Sequence, residues 1–151
     1  MSDAQSVISS LYLPVSNTQL LLPNVSVAEV VGYQAPENRD TKPDYFLGLV
    51  SWRGINIPLL SYEIANGLSA AKVTPNSRIA VVNTIGKHQK DLPFFAIVTQ
   101  GIPRLVKVGN EISQQSDRKP GKADSAMITL DGEEAVIPNI EYLESLAYEN
   151  L

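Results

Sequence analysis

"FLGLVSWRGINIPLL", residues 46–60, decides how this chain is read. Two apolar runs flank one arginine and one glycine. Each run has strand length and strand composition, and a two-residue link containing glycine marks a tight hairpin, because glycine takes positive φ at little cost. The pattern predicts strands over 45–52 and 55–60 with Arg53-Gly54 at the apex. A charged turn residue facing water needs no explanation. Arg53, however, sits beside Trp52, the only tryptophan of the chain. Trp and Arg are the side chains most enriched where binding energy concentrates. The sequence leaves open whether Trp52 faces core or solvent.

Outward from that hairpin, most segments read as strands. On the N-terminal side, 6–15 and 18–23 flank a Ser16-Asn17 turn signal, and the β-branched run "VAEVVGY" covers 27–33. The polar, proline-bearing stretch 34–44 reads as a loop. On the C-terminal side, "SYEIANG" (61–67) reads as a short helix, with Ser61 as its cap and Gly67 as its end. Strands are expected at 78–85, 92–100 and 104–108, with the polar turn "GKHQKD" at 86–91 and a long exposed loop at 113–125. Asp131-Gly132 joins strands 126–130 and 133–137, since Asp-Gly favours the primed turns. The tail 138–151 reads as a helix carrying Ile140, Leu143 and Ala147 on one face, with Pro138 in its first turn.

The chain repeats itself weakly. Ile57-Pro58 and Ile137-Pro138 both hold the step from strand to helix, and "LLLPNVSVAEVV" and "FAIVTQGIPRLVKV" each run strand, polar link, strand. Two related β units, each rolled into a small barrel, would account for the repeat and leave few open sheet edges.

Length and charge narrow the function classes. A chain of 151 residues is large enough to bury roughly 70% of its unfolded surface, so it needs no staples. It has no cysteine, which excludes disulfides and thiolate chemistry and fits a reducing compartment. The start "MSDAQS" lacks the basic and apolar regions of a signal peptide, and no apolar run reaches the roughly 20 residues that span a bilayer. A cytoplasmic location without membrane insertion is expected. Twelve basic against sixteen acidic residues, with the basic ones scattered, argue against a nucleic-acid partner.

Catalytic constellations are missing. His88 is the only histidine, and it lies in a polar turn without acidic or cysteine neighbours of ligand spacing, so it reads as a solvated loop residue and not a metal ligand. "RKPGKAD" (118–124) lacks the spacing and the Ser/Thr of a phosphate loop. Glu133 and Glu134 are adjacent in a strand, so they point to opposite faces and cannot pair as acid and base. No nucleophile elbow is present. The expectation is no enzyme, no metal and no cofactor.

"FLGLVSWRGINIPLLSYE" resembles the signature of CheW-type adaptors, in which a strand ends in Asn, apolar, Arg, Gly and the next strand ends in an apolar-Pro step into a helix. "VAEVVGY", with Glu29, Gly32 and Tyr33, and "DGEEAVIPNIEYLESL" are similar to further family segments, so the resemblance spans roughly 7–147. It implies an all-β fold of two small, SH3-like, five-stranded barrels with short helices, and one CheW-like domain over 1–151. It also implies a non-enzymatic adaptor that couples the cytoplasmic tips of chemoreceptors to a CheA-type histidine kinase. By the same resemblance Arg53 lies near the junction used by partners, and Glu29 lies on the face that meets the kinase regulatory domain. Val30 matches that kinase-contact region and is expected to form an exposed apolar patch there. The expected partner-binding residues are therefore Glu29, Val30, Trp52, Arg53 and Gly54. The chain departs from the family pattern at Ser51-Trp52 and lacks the aspartate that often follows each Pro, which resembles the ChpC-like adaptors of type IV pilus chemosensory systems. A competing reading is a small-ligand-binding β-barrel, with a pocket lined by Phe94, Phe95 and tyrosines.

Overall fold

The computed structural model describes residues 7–37, 41–109, 111–114 and 118–151. Among the described residues eleven strands, two α-helices and one 3-10 turn (Asn24–Ser26) follow in chain order. The strands and α-helices are β1 (Ile8–Val15), β2 (Thr18–Pro23), β3 (Val27–Gly32), β4 (Phe46–Trp52), β5 (Ile55–Leu60), α1 (Tyr62–Ala65), β6 (Arg78–Asn83), β7 (Phe94–Thr99), β8 (Arg104–Val108), β9 (Ser113–Gln114), β10 (Asp124–Leu130), β11 (Glu133–Pro138) and α2 (Ile140–Glu149). The expected loop 113–125 thus contains the two residues of β9 and the start of β10, while its residues 115–117, and Ser6 of the first expected strand, lie outside the described residues.

Two sheets carry the fold. The first has the order β3-β6-β7-β5-β4, and the second β8-β1-β2-β11-β10-β9. The first sheet closes on itself just past β3. Glu37 and Leu49 exchange both backbone hydrogen bonds, and the Gln34 side-chain amide pairs with the N–H and C=O of Ser51 as a strand would. Closure requires glycine at position 48. Gly48 has φ +136° at a bulge of β4, and a Cβ there would lie 2.6 Å from the Glu37 carbonyl oxygen. The second sheet has six strands where five were expected, because β9 adds a short edge beside β10; its two edge strands, β8 and β9, follow each other in the chain.

The internal repeat in the sequence is a repeat in space. In each unit a hairpin feeds a helix, β4-β5-α1 and β10-β11-α2, and the second strand of each hairpin pairs parallel with a strand from elsewhere, β5 with β7 and β11 with β2. Both hairpins turn through two residues of positive φ, Arg53-Gly54 (48° and 81°) and Asp131-Gly132 (50° and 80°), the signature of type I′ turns. The two strand-link-strand segments are the crossovers between sheets, β2 to β3 and β7 to β8.

Apolar residues sort into three clusters. One fills the first barrel (Val50, Trp52, Ile57, Leu59, Ile79, Val81), and a smaller one fills the second (Tyr12, Leu21, Ile128, Leu130, Ala135). The largest lies between the sheets and takes residues from both, among them Leu13, Leu20, Phe46, Leu60, Phe95 and Ile97, with Tyr62 of α1 and Leu143 of α2 sealing it. Joining the units through the largest core gives each barrel a stability neither would hold alone.

The helices begin as the sequence asks, with one correction. The Ser61 hydroxyl accepts the Ile64 N–H, and Gly67 (φ +81°) follows the last turn of α1. In the tail, Pro138 ends β11 instead of opening the helix; Asn139 caps α2 by accepting the Tyr142 N–H. The side-chain oxygen of Asn satisfies a free N–H, which Pro cannot do. Each helix also lends a buried carboxylate to a distant turn. Glu144 of α2 accepts the N–H groups of Ile85, Gly86 and His88, and Glu63 of α1 accepts that of Ser16.

Candidate functional site

The apex of β4-β5 brings three of the expected residues together. Trp52 is 8% exposed and belongs to the core of the first barrel, edge-on to Phe94 at 4.8 Å, which settles the question the sequence left open. A buried indole N–H needs an acceptor. Glu29 supplies it, with the indole nitrogen 2.9 Å from Oε1. The same oxygen accepts from Arg53 Nη2 at 3.3 Å, and the guanidinium lies over the Trp52 ring, 4.8 Å from its centre. Glu29, Trp52 and Arg53 therefore close the mouth of the barrel, with Glu29 and Arg53 both solvent-facing (side chains 42% and 66% exposed).

Arg53 is an unusual choice for its backbone. Its φ of +48° lies in the left-handed region, where a side chain other than Gly, Asn or Asp costs roughly 1 kcal/mol or more. Asp131, at the matching position of the other hairpin, is the ordinary solution.

The remaining two expected residues behave differently. Gly54 (φ +81°) supplies the second positive-φ position, and the space around its Cα is open. Val30 is a correction: it is partly buried against the core between the sheets, where an exposed patch was expected. A register shift in β3 between Val27 and Glu29 turns Val30 towards that core, whereas Val31 packs against the core of the first barrel.

A second arginine cluster caps the other barrel. Arg104 lies over the ring of Tyr12 at 4.6 Å and makes two hydrogen bonds to the Glu133 carboxylate, of 2.6 and 3.1 Å. Hydrogen bonding to Arg104 holds the Glu133 carboxyl below its ordinary range, and burial, reinforced by Glu133, raises the Tyr12 phenol. Glu134 pairs instead with Arg118, so the adjacent glutamates do diverge.

Sequence reasoning missed the exposed apolar residues on and beside the two crossovers. Val25 between β2 and β3 is 84% exposed, Ile102 between β7 and β8 is 74% exposed, and Leu105 on β8 is 73% exposed. Leu105 stands across from Leu11, a member of the core between the sheets. Two large apolar residues flanking Pro103-Arg104 were the available signal.

Other expectations find their places. His88 is not simply solvated: its ring stacks on Tyr148 at 3.9 Å. In the phosphate-loop look-alike the Gly121 N–H is bonded to the Asp124 carboxylate of the same segment. Asp124 also accepts from Tyr62 and Asn66, and burial followed by that hydrogen bond pushes the Tyr62 phenol far above its usual range. Phe94 and Phe95 line no common pocket, because adjacent residues of β7 face different cores. Among the described residues no cluster of His, Asp and Glu has metal-ligand geometry, and no helix is long and apolar enough to cross a membrane.

The family model described as a CheW-like domain matches residues 10–146. The chain belongs to the CheW-like family. Among solved structures it is similar to the scaffolding protein TtCheW from Thermoanaerobacter tengcongensis, at 16% identity and a TM-score of 0.75, covering 90% of this chain and 91% of that one. No curated protein sequence matches. The two units are the SH3-like subdomains of the CheW fold, and the CheW-like family is not a family of enzymes.

Proposed function

We propose that this chain is a chemotaxis-type adaptor that joins chemoreceptor tips to a CheA-type histidine kinase in the cytoplasm, acting as one unit over its whole length. The observation that carries the reading is the barrel mouth, where one Glu29 oxygen holds both a buried indole and a strained, exposed arginine. A planar, permanently charged group fixed by an aromatic ring is preorganised to meet a carboxylate or backbone carbonyls on a partner. Glu29 and Arg53 serve the kinase and the junction respectively.

The exposed apolar crossovers support a second contact. Val25 and Ile102 lie on the two passages between barrels, and Leu105 is exposed on the edge strand β8 across from Leu11. An amphipathic receptor helix would cover such a surface. The departures at Ser51-Trp52 and after Pro58 and Pro138 favour the ChpC-like, type IV pilus branch. Structurally they are mild: Ser61 and Asn139 take the capping roles, and Ser51 pairs with Gln34. The test is reconstitution with a CheA-type kinase and a receptor cytoplasmic fragment. Ternary complexes with altered kinase activity are expected; failure of the chain to bind either partner would overturn the proposal.

A further inference from the structure

Away from the barrel mouth, one buried carboxylate is sparsely hydrogen-bonded. Glu63 and Glu144 are each 1% exposed. Glu144 is met by three backbone N–H groups, whereas the side chain of Glu63 receives only one, from Ser16 to Oε2 at 2.9 Å, and has no cation beside it among the described residues. A carboxylate withdrawn from water with a single hydrogen bond is costly unless a positive group completes it. Among the described residues the other oxygen, Oε1, has no hydrogen-bond partner.

Glu63 lines a cleft of about 170 Å³ together with Ser61, Tyr33, Leu47, Val73 and Val98. Val73 is more than half exposed and Glu63 is almost fully buried, so Glu63 lies at the inner side of the cleft and Val73 at its rim. Drug-sized ligands need roughly 300–1,000 Å³, so this cleft admits only something the size of a side-chain end. An acidic residue among apolar and aromatic walls complements a cation on an apolar stem.

We propose that this cleft binds an alkylammonium or alkylguanidinium group, with Glu63 as its counter-charge. The group arrives either as a small amine or as a Lys or Arg side chain of a partner. The site is separate from the Glu29–Arg53 contact, so its success or failure is independent of the adaptor reading.

The test titrates the full chain with butylammonium, with butylguanidinium, and with a capped peptide containing one arginine, following the backbone amide signals of Glu63, Ala71 and Val73. Butanol and sodium chloride serve as controls. Glu63→Gln keeps an acceptor for the Ser16 N–H but removes the charge, and Ala71→Phe fills the cleft from its wall. Saturable binding that weakens at least tenfold in both variants is expected. Saturation by the peptide at tenfold lower concentration than by the small cations identifies a partner side chain, and the reverse order identifies a small amine. No saturable binding, equal binding of butanol, or affinity unchanged by Glu63→Gln would overturn the proposal. If Glu63→Gln fails to fold, unchanged affinity in Ala71→Phe overturns it instead.

Discussion

Replacing Arg53 with asparagine separates use of the side chain from its contribution to folding. The exposed pair with Glu29 contributes about 0.2–1 kcal/mol, and the stacking on Trp52 about 0.5–1 kcal/mol. Against that loss, Asn tolerates the left-handed φ of +48° and Asn-Gly is a preferred type I′ pair, returning roughly 1 kcal/mol of backbone strain. The terms nearly cancel, so Arg53→Asn should melt within about 4 °C of the parent, the shift that about 1 kcal/mol produces in a domain of this size. The indole bond to Glu29 stays in place. Binding to the kinase regulatory domain or the receptor tip should nonetheless fall at least tenfold, about 1.4 kcal/mol. Thermal melts and calorimetric titrations on the same preparations read both quantities. Parent-like affinity would refute the role given to Arg53. A fall in Tm of about 10 °C would refute the strain argument and make the arginine a brace for the barrel mouth.

Gly48→Ala should cost about 2 kcal/mol or more in chemical denaturation, because its Cβ would press on the Glu37 carbonyl where the first barrel closes. Val30→Asp should also destabilise, by about 2–3 kcal/mol, since it places a charge against the core between the sheets; a parent-like melt with lost kinase binding would show that this side chain faces a partner. Glu144→Ala should cost about 3 kcal/mol by stranding three N–H groups of the 85–88 turn, and amide exchange there should accelerate. Glu133 is depressed by Arg104, so its stabilising effect is present above the ordinary glutamate pKa and is lost as pH falls through the lower folded-state value. A carboxyl titration by NMR should show a midpoint below that of an ordinary glutamate, which Arg104→Gln moves back up.

The hairpins, caps and repeat were legible because each rests on neighbours in sequence. Arg53-Gly54 and Asp131-Gly132 announce their turns, and Ser61 and Gly67 mark the ends of α1. The assignment of strands to sheets was not legible. β1 and β2 join strands that come about a hundred residues later, and only their apolar character is local. The face of Val30 was hidden by the shift in β3, which no glycine or proline announces. His88 met its partner Tyr148 through tertiary packing, so its turn alone suggested water. At the site, Trp52 and Arg53 stood out by type and adjacency. Their union with Glu29 required the barrel to roll β3 beside the apex of β4-β5, a contact across 23 residues.

The single tryptophan offers the most direct test of the central claim, that the Glu29–Trp52–Arg53 mouth is a partner-binding site. Its one indole N–H signal, followed by NMR while unlabelled regulatory domain of a CheA-type kinase is added, reports on that mouth alone. A saturable shift of this signal is expected together with the backbone amides of Glu29, Arg53 and Gly54. Saturable binding that leaves the indole and those amides unmoved, with shifts confined to the second barrel, would contradict it.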